Sequence, residues 1–258
     1  MNKLASILAV VILWVSGASA TTHPTFEEGE QLFVVAQSGL SLRAEPGSHQ
    51  ELITIIPYGE IVQILEPDSV MIQEDINWVS GQWVPVHFNG HIGYVFDGYL
   101  SPLNLPSYSF EKTQSDLDFI YPLESWVSVH LHAIGNQDTV MTDYYDQVTQ
   151  AYESGDHLTR MNAGNLYKLK LNLKDIRIMD AYHLLKSMLN NKYEVDHFEK
   201  SSLFLADEGN DLHRVKIQLD NPVDIRYTAD GDVLITITSQ EYECDLMSSV
   251  DVEIDYSK

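Results

Sequence analysis

The stretch SGLSLRAEPG, residues 38–47, sets Leu40 and Leu42 alternately with Ser41 and Arg43 and then turns at Ala44-Glu45-Pro46-Gly47. A period of two sends successive side chains to opposite faces, so it predicts a strand with one buried face, ended by a turn. The same reading extends outward. Ile53, Ile55 and Ile56 lead into PYGE at 57–60, and Ile61, Ile64 and Leu65 follow before a polar loop from Glu66 to Asn77. Val84, Val86 and Phe88 run up to Asn89-Gly90, the dipeptide that best suits a two-residue hairpin, and Ile92, Tyr94 and Phe96 resume beyond it. Five short strands in about seventy residues, with no helical period, predict a small closed barrel.

Over residues 31–103 the motifs resemble the bacterial SH3-like (SH3b) domain. Ser38 to Gly47 is similar to its Gly-Leu-x-x-Arg-x-x-Pro opening, PYGE to its middle, and Trp83, Val86, Gly90, Gly93, Tyr94 and Val95 to its close, with GYLSPL at 98–103 as the ending. Gly39 and Gly59 suit irregular backbone and a turn, and Gly93 suits a bend or a close backbone approach. Trp83 and Tyr94 belong first to the core or to loop bracing. The alternative is that Tyr58, Trp78, Tyr94, Phe96 and Tyr99 leave aromatic faces in a surface groove for a peptide or sugar. The resemblance implies binding of peptidoglycan, a peptide or a protein, in a module accessory to another domain, and it carries over no catalytic residue.

Charge narrows the partner. Across 258 residues, 38 acids face 15 bases, a formal net charge of −23. Such a chain is repelled by phosphate backbones and anionic headgroups, which argues against nucleic acid or a membrane surface as partner. From Thr21 to Pro102 there are 11 acids and one base, Arg43. A groove ligand on the barrel is therefore neutral or cationic.

The first twenty residues read as a signal peptide, with Lys3, an apolar run from Leu4 to Val15, and Ala18-Ser19-Ala20 as the cleavage site. The chain is expected to be exported, periplasmic or extracellular, and not inserted in the membrane after cleavage. The charge break and the PLNLP stretch at 102–106 mark a boundary, so that 104–258 form a second, uncharacterised domain. There Ile178, Ala181, Tyr182, Leu185 and Leu189 recur at helical spacing, predicting one long helix over 173–190, with Asn172 as N-cap, Asp175 near N3, and Arg177, Asp180, His183 and Lys186 on a solvated face. Alternation predicts strands at Trp126–Ile134, Leu166–Leu173, Val215–Leu219, Val223–Tyr227 and Val233–Thr238, the last two joined at Asp230-Gly231; YECDLM and VDVEIDY read as two terminal strands, and Asp138–Glu153 fits helix or strand. The fold class expected is mostly β: a small SH3-like barrel followed by an α+β domain, an antiparallel sheet or sandwich with one long helix.

Chemistry is sparse. Cell-wall cysteine peptidases have a catalytic cysteine followed by a histidine, whereas Cys244 comes after His213, the last histidine. His130 and His132, two apart, would share one strand face and with His157 or Asp143 are the metal candidates. The loops DEGND at 207–211 and DGD at 230–232 are turns before they are calcium sites. No cofactor is expected. The leading reading is an exported, non-enzymatic binding protein of the cell envelope. The rivals are an envelope hydrolase with its site around His130 and His132, and a secreted inhibitor or toxin-associated protein, which an exposed apolar patch on the second domain would favour.

Overall fold

The computed structural model describes residues 26–66, 72–76, 79–105, 118–189, 192–207 and 211–240. The fold is mostly β and is built on two antiparallel sheets. The first contains β1 (Gln31–Val34), β2 (Leu40–Arg43), β3 (Leu52–Ile56), β4 (Ile61–Ile64), β6 (Val79–Phe88), β7 (His91–Phe96) and β8 (Leu100–Ser101), in the order β3-β2-β7-β6-β4-β1-β8. A short β5 (Gln73–Ile76) pairs with the start of β6.

The alternation that predicts these strands is the one that fills the barrel. Leu32, Leu42, Ile56, Val62, Ile64, Val86 and Val95 meet in one core, each at most 1% exposed. Asn89 and Gly90 both take positive φ, 46° and 82°, the geometry of a type I′ hairpin turn between β6 and β7. Gly93 is a close-approach glycine: a Cβ there would stand 2.5 Å from the Arg43 carbonyl oxygen. The predicted polar loop over 66–77 holds β5, and β1 and β8 add two more, so the described residues of the barrel contain eight strands where the pattern suggested five.

The second sheet follows the order β13-β14-β15-β16-β12-β11-β10-β9. Its strands are β9 (Ala133–Met141), β10 (Asp146–Tyr152), β11 (His157–Ala163), β12 (Leu166–Leu173), β13 (Ser202–Ala206), β14 (Leu212–Ile217), β15 (Val223–Tyr227) and β16 (Val233–Ser239). Along β12, Tyr167, Leu169, Leu171 and Leu173 are buried while the residues between them are half-buried. The buried face packs under three helices, α1 (Ile120–His130), α2 (Ile178–Ser187) and α3 (Lys192–Ser201). Asp138–Glu153, open to either reading, lies largely in β9, the turn after it and β10.

Three expectations change. Trp126–His130 is helix, because Ile120, Leu123, Trp126 and Val127 form a buried helical stripe that the accidental alternation of Val127, Val129 and Leu131 hides. The predicted long helix over 173–190 is the shorter α2, and α1 and α3 are helices the pattern did not predict. The predicted 173–190 segment starts later because Leu173 ends β12 and Asp175 takes a left-handed φ of 54°, so Arg177, not Asn172, is the N-cap, with Asp180 at N3. Asn172 lies in β12 and donates from Nδ2 to Asp232 at 2.8 Å. The proposed terminal strands YECDLM and VDVEIDY lie outside the described residues.

Candidate functional site

On β6 and β7, Val84, Val86 and Val95 point into the barrel. The alternate residues Trp83, Pro85, Tyr94 and Phe96 therefore point outward, paired across the strands as Trp83 with Phe96 and Pro85 with Tyr94. This is the aromatic face from which the groove was predicted. Trp83 and Phe96 belong to the same apolar cluster as Phe119, Trp126, Tyr182 and Phe198 of the helical layer. Ring contacts run without a gap across the junction: Trp83 to Phe96 at 6.1 Å, Phe96 to Tyr99 at 5.9 Å, Tyr99 to His183 at 5.7 Å, His183 to Tyr182 at 5.9 Å, Tyr182 to Phe198 at 5.0 Å. Tilted and edge-on rings at these separations are mutually attractive.

A polar knot closes beside the rings. Arg177 donates from Nη2 to the Leu100 carbonyl at 2.6 Å and the Asp97 carbonyl at 3.2 Å, pairs with Asp180 at 3.1 Å and approaches the Asp97 carboxylate at 3.6 Å. Its guanidinium also lies 4.2 Å from the centroid of the Phe26 ring. Asp97 accepts the Gln82 backbone N–H at 2.7 Å, and burial pushes its carboxyl up in spite of Arg177. His183 donates Nε2–H to the Gly98 carbonyl at 3.1 Å, and burial holds its pKa down at about 4. Asp180 is wholly buried and His183 is 4% exposed, so the helix face predicted to be solvated is instead the one that meets the barrel. The short polar side chains are spent on barrel backbone carbonyls and on one another. That arrangement docks two sheets; it offers no free nucleophile.

The predicted groove residues therefore separate. Phe96 is 1% exposed and presents no face to a ligand. Tyr99 is half-buried between Phe96 and His183. Tyr58, half-buried, donates its hydroxyl to the Leu105 carbonyl at 3.2 Å, and burial raises its pKa. Tyr94 is half-buried opposite Arg43 and Pro85. Trp78 lies outside the described residues. A neighbouring tie was not foreseen: Trp83 donates Nε1–H to Glu74 at 2.6 Å, and Glu74 also accepts the Ser48 hydroxyl and backbone N–H, which holds its carboxyl below the usual range. Trp83 thus braces the 44–51 loop, as its structural role suggested.

The paired-histidine geometry is absent. His130 closes α1 with its ring stacked on Trp126 at 5.0 Å and Nδ1 2.9 Å from the Trp126 carbonyl, while His132 lies beyond the helix, exposed, so the two share no strand face. Among the described residues no three His, Cys, Asp or Glu side chains are grouped to hold a metal. Asp207 and Asp211 bond to each other's backbone, and Gly231 donates to Thr228 in the second loop, both as turns. Cys244 lies outside the described residues.

The sequence signal for this junction lies on α2, where Arg177, Asp180 and His183 recur at three-residue spacing on one side of a helix whose other side is already apolar, so the helix has two faces to satisfy.

Comparison with known proteins agrees with the barrel. The bacterial SH3 domain family model matches residues 38–101, so this stretch of the chain is similar to that family, and the match suggests a module that binds cell-wall peptidoglycan or a protein. No curated protein and no solved structure matches the chain. Among the described residues no helix is long and apolar enough to cross a membrane.

Proposed function

We propose that the chain is an exported, non-enzymatic binding protein of the bacterial cell envelope, in which the SH3-like barrel recognises a peptide, peptidoglycan or protein ligand of neutral or positive charge. The division into a signal peptide (1–20), a barrel (31–103) and a second domain (104–258) belongs to the same proposal. The match of residues 38–101 to the bacterial SH3 domain carries it. Two further features support it. Arg43 is the sole base between Thr21 and Pro102, and it already donates to the Gln50 carbonyl. Beside the docked face, where Tyr94 packs against the shared core and Tyr58 bonds to Leu105, the rings of both tyrosines stay partly exposed, and Leu52, Ile55 and Ile92 are exposed elsewhere on the barrel. The test is capture of residues 21–258 on purified peptidoglycan and on a panel of neutral and basic peptides, read beside Tyr58→Ala and Tyr94→Ala chains.

A second reading, as a secreted inhibitor or toxin-associated protein, has its own support in the β9–β10 hairpin, where Met141 is 60% and Tyr144 86% exposed beside exposed Val140 and Tyr145. A Met141→Ser, Tyr144→Ser chain that keeps envelope binding but no longer associates with a protein partner would favour it.

A further inference from the structure

The second sheet has one face under the helices and one face open. On the open face, pairing aligns Lys216, Asp224, Thr236 and Lys170 in one row across β14, β15, β16 and β12. The next row sets Arg214 directly opposite Arg226, and Lys168 lies opposite Thr238. These four strands carry one carboxylate, Asp224, which accepts both arms of Arg214 and lies 3.7 Å from Arg226. Lys168, Lys170 and Lys216 have no ion-pair partner among the described residues. A protein of net charge −23 thus gathers five of its 15 basic side chains on one sheet face.

The occupant is suggested by the same chain. Residues 241–258, outside the described residues, contain six acids and one base, and Asp251, Glu253 and Asp255 are spaced two apart. They follow directly on β16, the strand between β12 and β15. In an extended chain, side chains two apart on one face are roughly 7 Å from each other, the same interval as Lys168 to Lys170 along β12. Eighteen residues reach roughly 60 Å when extended, against about 15 Å across the three strand spacings from β12 to β14. Tethering also makes this contact intramolecular, which an outside polyanion, repelled by the net charge, does not enjoy.

We propose that the open basic face is a docking surface for the chain's own acidic C-terminal segment, residues 241–258. The test is amine-labelling footprinting of the full chain at low salt, comparing the native sequence with an Asp251→Asn, Glu253→Gln, Asp255→Asn chain. The expected result is several-fold slower labelling of Lys168, Lys170 and Lys216 in the native chain, lost at high salt, with unchanged rates at exposed Lys192 and Lys200. Equal rates at the three lysines in both chains would overturn the proposal. Protection that grows with protein concentration would overturn it too, by assigning the face to another copy's tail. A chain ending at Gln240 repeats the comparison by deletion, so that failure of one variant to fold leaves the other decisive.

Discussion

His183 of α2 donates Nε2–H to the carbonyl of Gly98, 85 residues earlier in the chain and in the turn that ends the barrel's β7. This bond joins the two sheets, and burial, which outweighs the bond's preference for a charged ring, keeps the imidazole neutral. The folded pKa, about 4, lies below the ordinary 6.5. The neutral ring therefore contributes stability in full above about 6.5, and that contribution is lost as pH falls toward 4, because the unfolded chain takes up a proton that the folded ring refuses. The loss is on the order of 3 kcal/mol at most. Asp97, whose carboxyl is raised by burial, works in the opposite sense and offsets part of it. Denaturant midpoints measured from pH 7 to pH 4 are expected to fall for the native chain, to fall more steeply for Asp97→Asn, and to flatten for His183→Gln.

Arg177 is the most committed side chain of the junction. Replacing it with Ala leaves the Asp180 carboxylate, 1% exposed, and the largely buried Asp97 without their cation. Breaking a buried pair by removing one partner costs about 3 to 5 kcal/mol. Arg177→Ala is expected to lower thermal stability by that order, while Arg177→Lys restores only part of it, since an ammonium cannot reach two carbonyls and two carboxylates from one planar fork. Thermal unfolding followed by near-ultraviolet circular dichroism checks this.

Gly93→Ala tests the barrel alone. The added Cβ would lie 2.5 Å from the Arg43 carbonyl and 2.9 Å from the Ile53 side chain, where backbone must shift. The expected loss is about 1 to 3 kcal/mol, with the signals of the second sheet's helices retained in a residue-resolved hydrogen-exchange measurement.

The barrel was legible because each strand buries one face in a core that its own residues build, so alternation and the Asn-Gly turn suffice. The same is true of β12, found over Leu166–Leu173 as its pattern predicts, and of the Val223–Tyr227 and Val233–Ser239 hairpin. α3 escaped because only Phe198 of its ten residues is buried, too little to print a helical period. The junction was illegible for a different reason. Tyr99, Asp180 and His183 carry polar groups that suit a wet surface, and Phe96 faces out from its own barrel; what makes them interior is another part of the chain laid over them. Local pattern records which side of an element is apolar; it does not record which polar side will find a carbonyl 80 residues away.

In the proposed function the barrel binds a neutral or cationic envelope ligand through the partly exposed rings of Tyr58 and Tyr94 at the edge of the docked face. Equilibrium titration of residues 21–258 with soluble peptidoglycan fragments and basic peptides tests it most directly. Saturable binding is predicted, weakened about tenfold or more by Tyr94→Ala or Tyr58→Ala in chains that retain the native melting transition. Affinity unchanged by both replacements, or no binding to either ligand class, would contradict it.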